Sequence, residues 1–211
     1  MIELTNMATR QEILAGLTWL ANEYTGIAII WHILTLILIA ALFAGWKPGN
    51  NVMILVLSSL LMSVSMLASL QGNYFNAAVF AFLLIMSIYA SLRSGNEAIK
   101  GNRSWPDIIG LFLIIYGLLY PEFLSTNSLL EYVYAAPTGL IPCPTLSILT
   151  GFALLYRGFG SVVWAMTLAI SGMFYGLFGV FYLNVYVDWV LVAGSSILLL
   201  NSFFPSKKAA H

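Results

Sequence analysis

The chain has 211 residues, 61% of them hydrophobic and 8% charged, with no formal net charge and a mean hydropathy of +0.93. Soluble domains average about 25% charged residues, so this composition excludes a water-soluble fold, and the lack of a basic excess excludes a nucleic-acid partner. A single cysteine excludes an internal disulfide framework and any cysteine-rich metal site.

The first residues include Glu3, Arg10 and Glu12 where a cleavable leader would have a basic start and an immediate apolar run, so no signal peptide is expected. Ile13, Leu14, Leu17 and Leu20 recur at helical spacing beside Trp19. That spacing predicts an amphipathic helix over Thr9 to Ala21 lying on the membrane surface, within an outer-face N-terminal segment of residues 1–24. The first predicted span runs from Thr25 to Phe43 and ends at a Gly45-Trp46-Lys47-Pro48-Gly49 turn. A second, rich in serine (Ser58, Ser59, Ser63, Ser65, Ser69) and methionine, runs from Val52 to Leu70, and Gln71-Gly72-Asn73 turns it into a third from Tyr74 to Leu92.

Arg93 to Arg103 is a polar loop. A fourth span starts at Trp105-Pro106 and stops at Tyr120-Pro121, followed by a loop from Glu122 to Ala136. The fifth is interrupted and ends near Arg157-Gly158; a sixth covers Ser161 to Tyr182, and Asn184 to Asp188 turns into a seventh ending near Phe204. The expected fold is an all-α integral membrane bundle of seven transmembrane helices over residues 25–204, with a cytoplasmic tail over 205–211.

Charge orients it. Lys47, Arg93, Lys100, Arg103, Arg157, Lys207 and Lys208 fall on one side of such a bundle and only Arg10 on the other. Cytoplasmic loops collect Lys and Arg, which places the N-terminus outside. Glu3, Glu12, Glu23, Glu122, Glu131 and Asp188 then face outward. Tyr120, Tyr132, Tyr134, Tyr182, Tyr186 and Trp189 read as an outer aromatic belt, with Trp46 and Trp105 marking the inner interface.

The fifth span organises the rest. Ala136-Pro137-Thr138-Gly139-Leu140-Ile141-Pro142-Cys143-Pro144-Thr145 holds three of the seven prolines and the only cysteine. Proline removes a backbone donor and pushes the preceding residue toward extended geometry, so the helix is expected to be broken at Pro142-Cys143-Pro144 and to resume at Pro144. From there to Phe159 it spans about 24 Å, against a hydrocarbon core of about 30 Å. Non-helical backbone at that depth must be buried in protein or line a watery cavity, so the other helices are expected to wrap it.

Tyr120-Pro121, Gly139, Pro142-Cys143-Pro144-Thr145, Gly151, Trp164, Gly172 and Asp188-Trp189, together with Tyr74-Phe75-Asn76-Ala77-Ala78, resemble an uncharacterised family of small polytopic prokaryotic membrane proteins. Leu146 stands where the family pattern has a second threonine. The resemblance implies an integral membrane fold in a prokaryotic plasma membrane and carries no activity with it.

Cys143 is the first candidate for chemistry. A helix N-terminus lowers a thiol's pKa, apolar burial raises it, and a buried cysteine also serves as a small hydrophobe. His32, inside the first span, is a functional hypothesis by its position alone or a neutral ring bonded to a carbonyl. Cys143 with His32 is the one metal pair the sequence offers, too few for a structural zinc site. Thr145 beside the cysteine, Asp188 at the start of the last span and Glu122 after Tyr120-Pro121 complete the candidate binding residues. Asp188 also reads as a helix cap, and Asn76 as a cross-helix hydrogen bonder. Gly172, Gly176 and Gly179 predict close helix packing, within the chain or between copies of a homo-oligomer.

No lysine falls in a predicted span, which excludes a retinal Schiff base, and no motif names a cofactor. Three readings stay open. One is small-solute or ion transport through a cavity at the broken helix. Another is a non-catalytic subunit or assembly partner of a membrane complex. The third is a thiol- or metal-dependent membrane enzyme or carrier using Cys143.

Overall fold

The computed structural model of the chain describes residues 9–99, 105–126 and 128–203. The tail at 205–211, Glu3, Lys100 and Arg103 lie outside the described residues. Among those residues the secondary structure is helical, with no strand. The helices are α1 (Arg10–Glu23), α2 (Thr25–Phe43), α3 (Asn50–Leu70), α4 (Tyr74–Arg93), α5 (Trp105–Leu118), α6 (Leu129–Ala135), α7 (Pro142–Leu155), α8 (Val162–Phe178) and α9 (Trp189–Phe203). Five helical stretches are long and apolar enough to cross a membrane: Thr25–Phe43, Asn50–Leu70, Tyr74–Arg93, Val162–Leu183 and Tyr186–Phe203. α5 and α7 are shorter apolar helices. Large apolar side chains such as Ile30, Leu36, Ile85 and Phe181 point outward from them, as expected of a membrane protein.

Local chemistry sets the helix ends. Thr9 accepts from the Glu12 N–H at 3.3 Å, and the Glu12 carboxylate accepts from the Thr9 N–H at 2.7 Å. This reciprocal box starts α1. Asn73 caps α4 by accepting from the Asn76 N–H at 3.1 Å, and Ser161 caps α8 by accepting from the Trp164 N–H at 3.2 Å. Between α7 and α8 the chain reverses through Arg157, Gly158, Phe159 and Gly160, all at positive φ. Phe159 is fully buried there, its ring 5.3 Å from that of Trp164.

α7 is the central helix. Every residue from Pro142 to Leu154 is buried, and α7 packs on α3, α5, α8 and α9. Lipid tails are as apolar as leucine, so helices associate here by close packing, which favours small residues. Along α5 and α7 those residues are Gly110, Gly117 and Gly151. A Cβ on Gly110 would lie 2.6 Å from the Gly151 carbonyl oxygen, and one on Gly117 would lie 2.7 Å from that of Pro144.

The start of α7 differs from expectation. Ile141 is extended (φ −115, ψ 145), but the helix begins at Pro142, two residues early, and Pro142-Cys143-Pro144 lies inside its first turn. The first turn of a helix has no intrahelical acceptors for its N–H groups, so both prolines fit there without losing a bond. The interruption is the segment 136–141, between α6 and α7. α6 itself falls where a plain loop was expected.

α1 lies across one end of the bundle. Leu20 and Ala21 pack with Ala28, Leu67, Leu140 and Ile141, covering the interruption. Arg10 Nε donates to the Leu183 carbonyl at 2.9 Å. Asn22 clamps the loop after α5, donating to the Phe123 carbonyl at 3.0 Å and accepting from the Ser125 N–H at 2.9 Å.

Candidate functional site

Four departures from regular helix meet at the α1 end: the close of α5, the 136–141 segment, a π-turn over Gly179–Leu183 and a 3-10 turn over Tyr186–Asp188. Side-chain hydroxyls complete the backbone bonding of the second. Thr145 Oγ1 donates to the Ile141 carbonyl at 2.7 Å and accepts from the Gly139 N–H at 2.9 Å. Thr138 Oγ1 donates to the Gly117 carbonyl at 3.0 Å. Thr145 therefore acts as a clasp, tying the interrupted backbone to the first turn of α7. Gly139 has φ +74 and lies against the Trp31 indole, whose Nε1 donates to Ser63 Oγ at 2.9 Å. Only glycine meets both the left-handed conformation and the close approach.

This scaffold brings Cys143, Asp188 and Tyr120 together. Asp188 is 1% exposed, Tyr120 0% and Cys143 8%. The Tyr120 hydroxyl donates to Asp188 Oδ1 at 2.7 Å, and Cys143 lines the same small cavity as Asp188. Cys143 Sγ also lies 3.9 Å from the Tyr175 carbonyl oxygen. Asp188 Oδ2 rests on Gly179, where a Cβ would collide with it. The neighbouring Tyr116 hydroxyl donates to the Val187 carbonyl at 2.8 Å, and its ring stands edge-on to Tyr120 at 5.6 Å. Phe123, held at the unusual φ of 73 for a bulky residue, stacks on Tyr120 at 6.1 Å.

Among the described residues no lysine, arginine or histidine pairs with Asp188. Buried charges are ordinarily paired, so this carboxylate is chemically unusual. A cavity of about 40 Å³ adjoins it, lined among others by Asn76, Ile141, Cys143, Tyr175 and Asp188 and roofed by Ile13 and Leu17 of α1. That volume holds about one water molecule or an ion of similar size. The Tyr175 hydroxyl donates to Asn76 Oδ1 at 2.9 Å, fixing the wall.

Glu122 lies on the adjoining loop, half-buried, and burial pushes its carboxyl above the usual glutamate range. Its charge reaches Asp188 and Tyr116 electrostatically. His32 does not join the cluster. Its Nδ1 lies 3.0 Å from the Ala28 carbonyl oxygen and its Nε2 2.7 Å from that of Leu118. Both ring nitrogens thus face backbone carbonyls, and His32 does not line the cavity that Cys143 and Asp188 share. Among the described residues no group of three or more His, Cys, Asp or Glu side chains is placed to hold a metal ion.

Gly172, Gly176 and Gly179 face α9 and the turn before it. Their missing Cβ atoms leave room for Ser195 and Leu191, for Val192, and for Asp188, respectively. These glycines therefore serve close packing within the chain. Tyr120 is also a correction: it is a buried hydrogen-bond donor, whereas Tyr134, Tyr182, Tyr186 and Trp189 are exposed as a belt requires. Sequence reasoning missed Tyr120 as a site residue because its Tyr-Pro neighbour read only as a span terminus.

Comparison with protein-family models, with curated proteins and with solved structures finds no match to this chain.

Proposed function

We propose that the chain is a seven-span protein of a prokaryotic plasma membrane, N-terminus outside, and that it carries a small cation, a proton or sodium-sized ion, through the chamber at Asp188. One observation carries the reading: the Asp188 carboxylate is buried, with hydroxyl and thiol neighbours and no cation beside it among the described residues. Ionisable groups inside membranes mark ion paths and proton relays by default. The interrupted helix beside it is a recurring feature of transporter binding sites. An enzyme acting at Cys143 fits less well, because a chamber of about 40 Å³ has no room for an organic substrate.

Access is from the α1 side, where the chamber shares Ile13, Leu17, Asn76, Tyr175 and Phe178 with a wider groove. On the other side Leu146, Leu149 and Phe152 of α7 are sealed, so transit requires the packing around α7 to open. α2 is the least buried of the five long helices and is flanked by grooves of about 590 and 250 Å³.

Proteoliposomes loaded with a pH- or sodium-sensitive dye test the reading. The wild-type chain is expected to dissipate an imposed gradient and Asp188→Asn to lose that flux. Wild-type flux no faster than in protein-free liposomes contradicts it.

A further inference from the structure

The wider groove, about 870 Å³, runs between α1, the turn joining α3 to α4, and α8. Its lining has a definite chemistry. Among the described residues Glu12 is its one charged side chain, and no lysine or arginine lines it. The rings of Trp19, Tyr74, Phe75 and Phe174 line the same groove as Glu12, with Trp19 51% and Tyr74 74% exposed. Phe75 and Phe174 lie 6.1 Å apart and project from the apolar outer faces of α4 and α8, so the groove is continuous with the surface that meets lipid. Glu12 Oε2 is held by the Thr9 N–H at 2.7 Å, which orients the carboxylate and leaves Oε1 for a ligand. The same bonds from Thr9 lower its pKa and keep it ionised at neutral pH.

We propose that this groove binds the ammonium headgroup of a membrane amphiphile, the cation held between Glu12 and the Trp19 and Tyr74 rings and the chain lying along Phe75 and Phe174. Aromatic faces attract alkylammonium groups through the ring quadrupole, and a carboxylate in a groove that no described lysine or arginine lines selects the sign of the charge. Continuity with the lipid-facing surface selects a membrane-resident ligand over a water-soluble one. Binding here stands whether or not Asp188 carries an ion, since Glu12 and Trp19 line the groove and not the chamber.

The test uses the full chain in a neutral maltoside detergent, titrated with decyltrimethylammonium, a neutral decyl ether of similar size and decyl phosphate. Tryptophan fluorescence is the readout, with Trp19→Phe identifying the responding ring. Saturable binding of the ammonium compound is expected, weakened about three- to fivefold in Glu12→Gln and unchanged in Asp188→Asn. Gln at this position keeps the capping box, so the substitution removes charge and leaves α1 intact. Equal affinity for the neutral ether, tighter binding of decyl phosphate, or no effect of Glu12→Gln would each overturn the proposal.

Discussion

The Tyr120 hydroxyl donates to Asp188 Oδ1 at 2.7 Å, joining the end of α5 to the start of α9 across 68 residues. Both side chains are out of solvent, so the bond fixes the position of the carboxylate as well as satisfying it. Tyr120→Phe leaves a buried acceptor short of its donor, at a cost of about 1–3 kcal/mol. Unfolding in detergent should show that loss, and Asp188→Asn, which keeps a carbonyl acceptor for the hydroxyl, should lose less. Equal midpoints for wild type and Tyr120→Phe would show that the bond has no weight.

Thr145 ties the interrupted backbone to α7 through two hydrogen bonds, from the Gly139 N–H and to the Ile141 carbonyl. Thr145→Val preserves shape and removes both, for an expected loss of about 2–3 kcal/mol at roughly 1 kcal/mol or more each. Thr145→Ser should recover most of it. If valine and serine variants unfold alike, the clasp is not what holds this segment.

Gly139→Ala combines a left-handed φ of +74 with a collision against Trp31. The conformation costs about 1–2 kcal/mol, and overpacking adds about 1–3 kcal/mol. Gly26→Ala, with nothing within 4 Å of the added carbon, is the control and should be neutral or slightly stabilising, since alanine favours a helix by about 0.5–1 kcal/mol.

Burial raises the carboxyl of Glu122 above its ordinary 4.5. The folded state therefore binds this proton more tightly than the unfolded chain does. Stability from this group is fully present below the unfolded pKa and is lost as pH rises through the folded one. Glu122→Gln should flatten that decline in an unfolding series from about pH 4 to pH 8. A variant whose pH profile superimposes on the wild type would show that Glu122 is not the group responsible.

Cys143 is buried and lines a chamber of about 40 Å³ beside Ile13 and Leu17. A maleimide cannot enter that space, so labelling should be slow in the folded protein and prompt after denaturation. Rapid labelling from the water phase would mean that α1 lifts readily.

Much of this architecture was legible in the residues. The predicted first span coincides with α2, because Gly45 with its φ of +97 and Pro48 leave no room for continuation. The burial of α7 followed from its shortness and prolines, since an unpaired backbone cannot face lipid. The start of α7 was misplaced because two prolines are compatible with a first helical turn, a point on which the pre-proline rule and the orphan-donor rule compete. The partnership of Asp188 with Tyr120 was not legible, because it spans three helices and is set by Gly179 yielding space to a carboxylate. The Gly110 and Gly151 contact escaped notice for a similar reason: isolated glycines on different helices show no spacing motif.

The central claim is that Asp188 takes up a cation reaching it from the α1 side, and the state of its carboxyl group reports this most directly. Infrared difference spectra of the reconstituted protein, recorded on stepping external pH or sodium, should contain a carboxyl band that changes with the step and disappears in Asp188→Asn. Spectra identical in the wild type and in Asp188→Asn at every step would contradict the account.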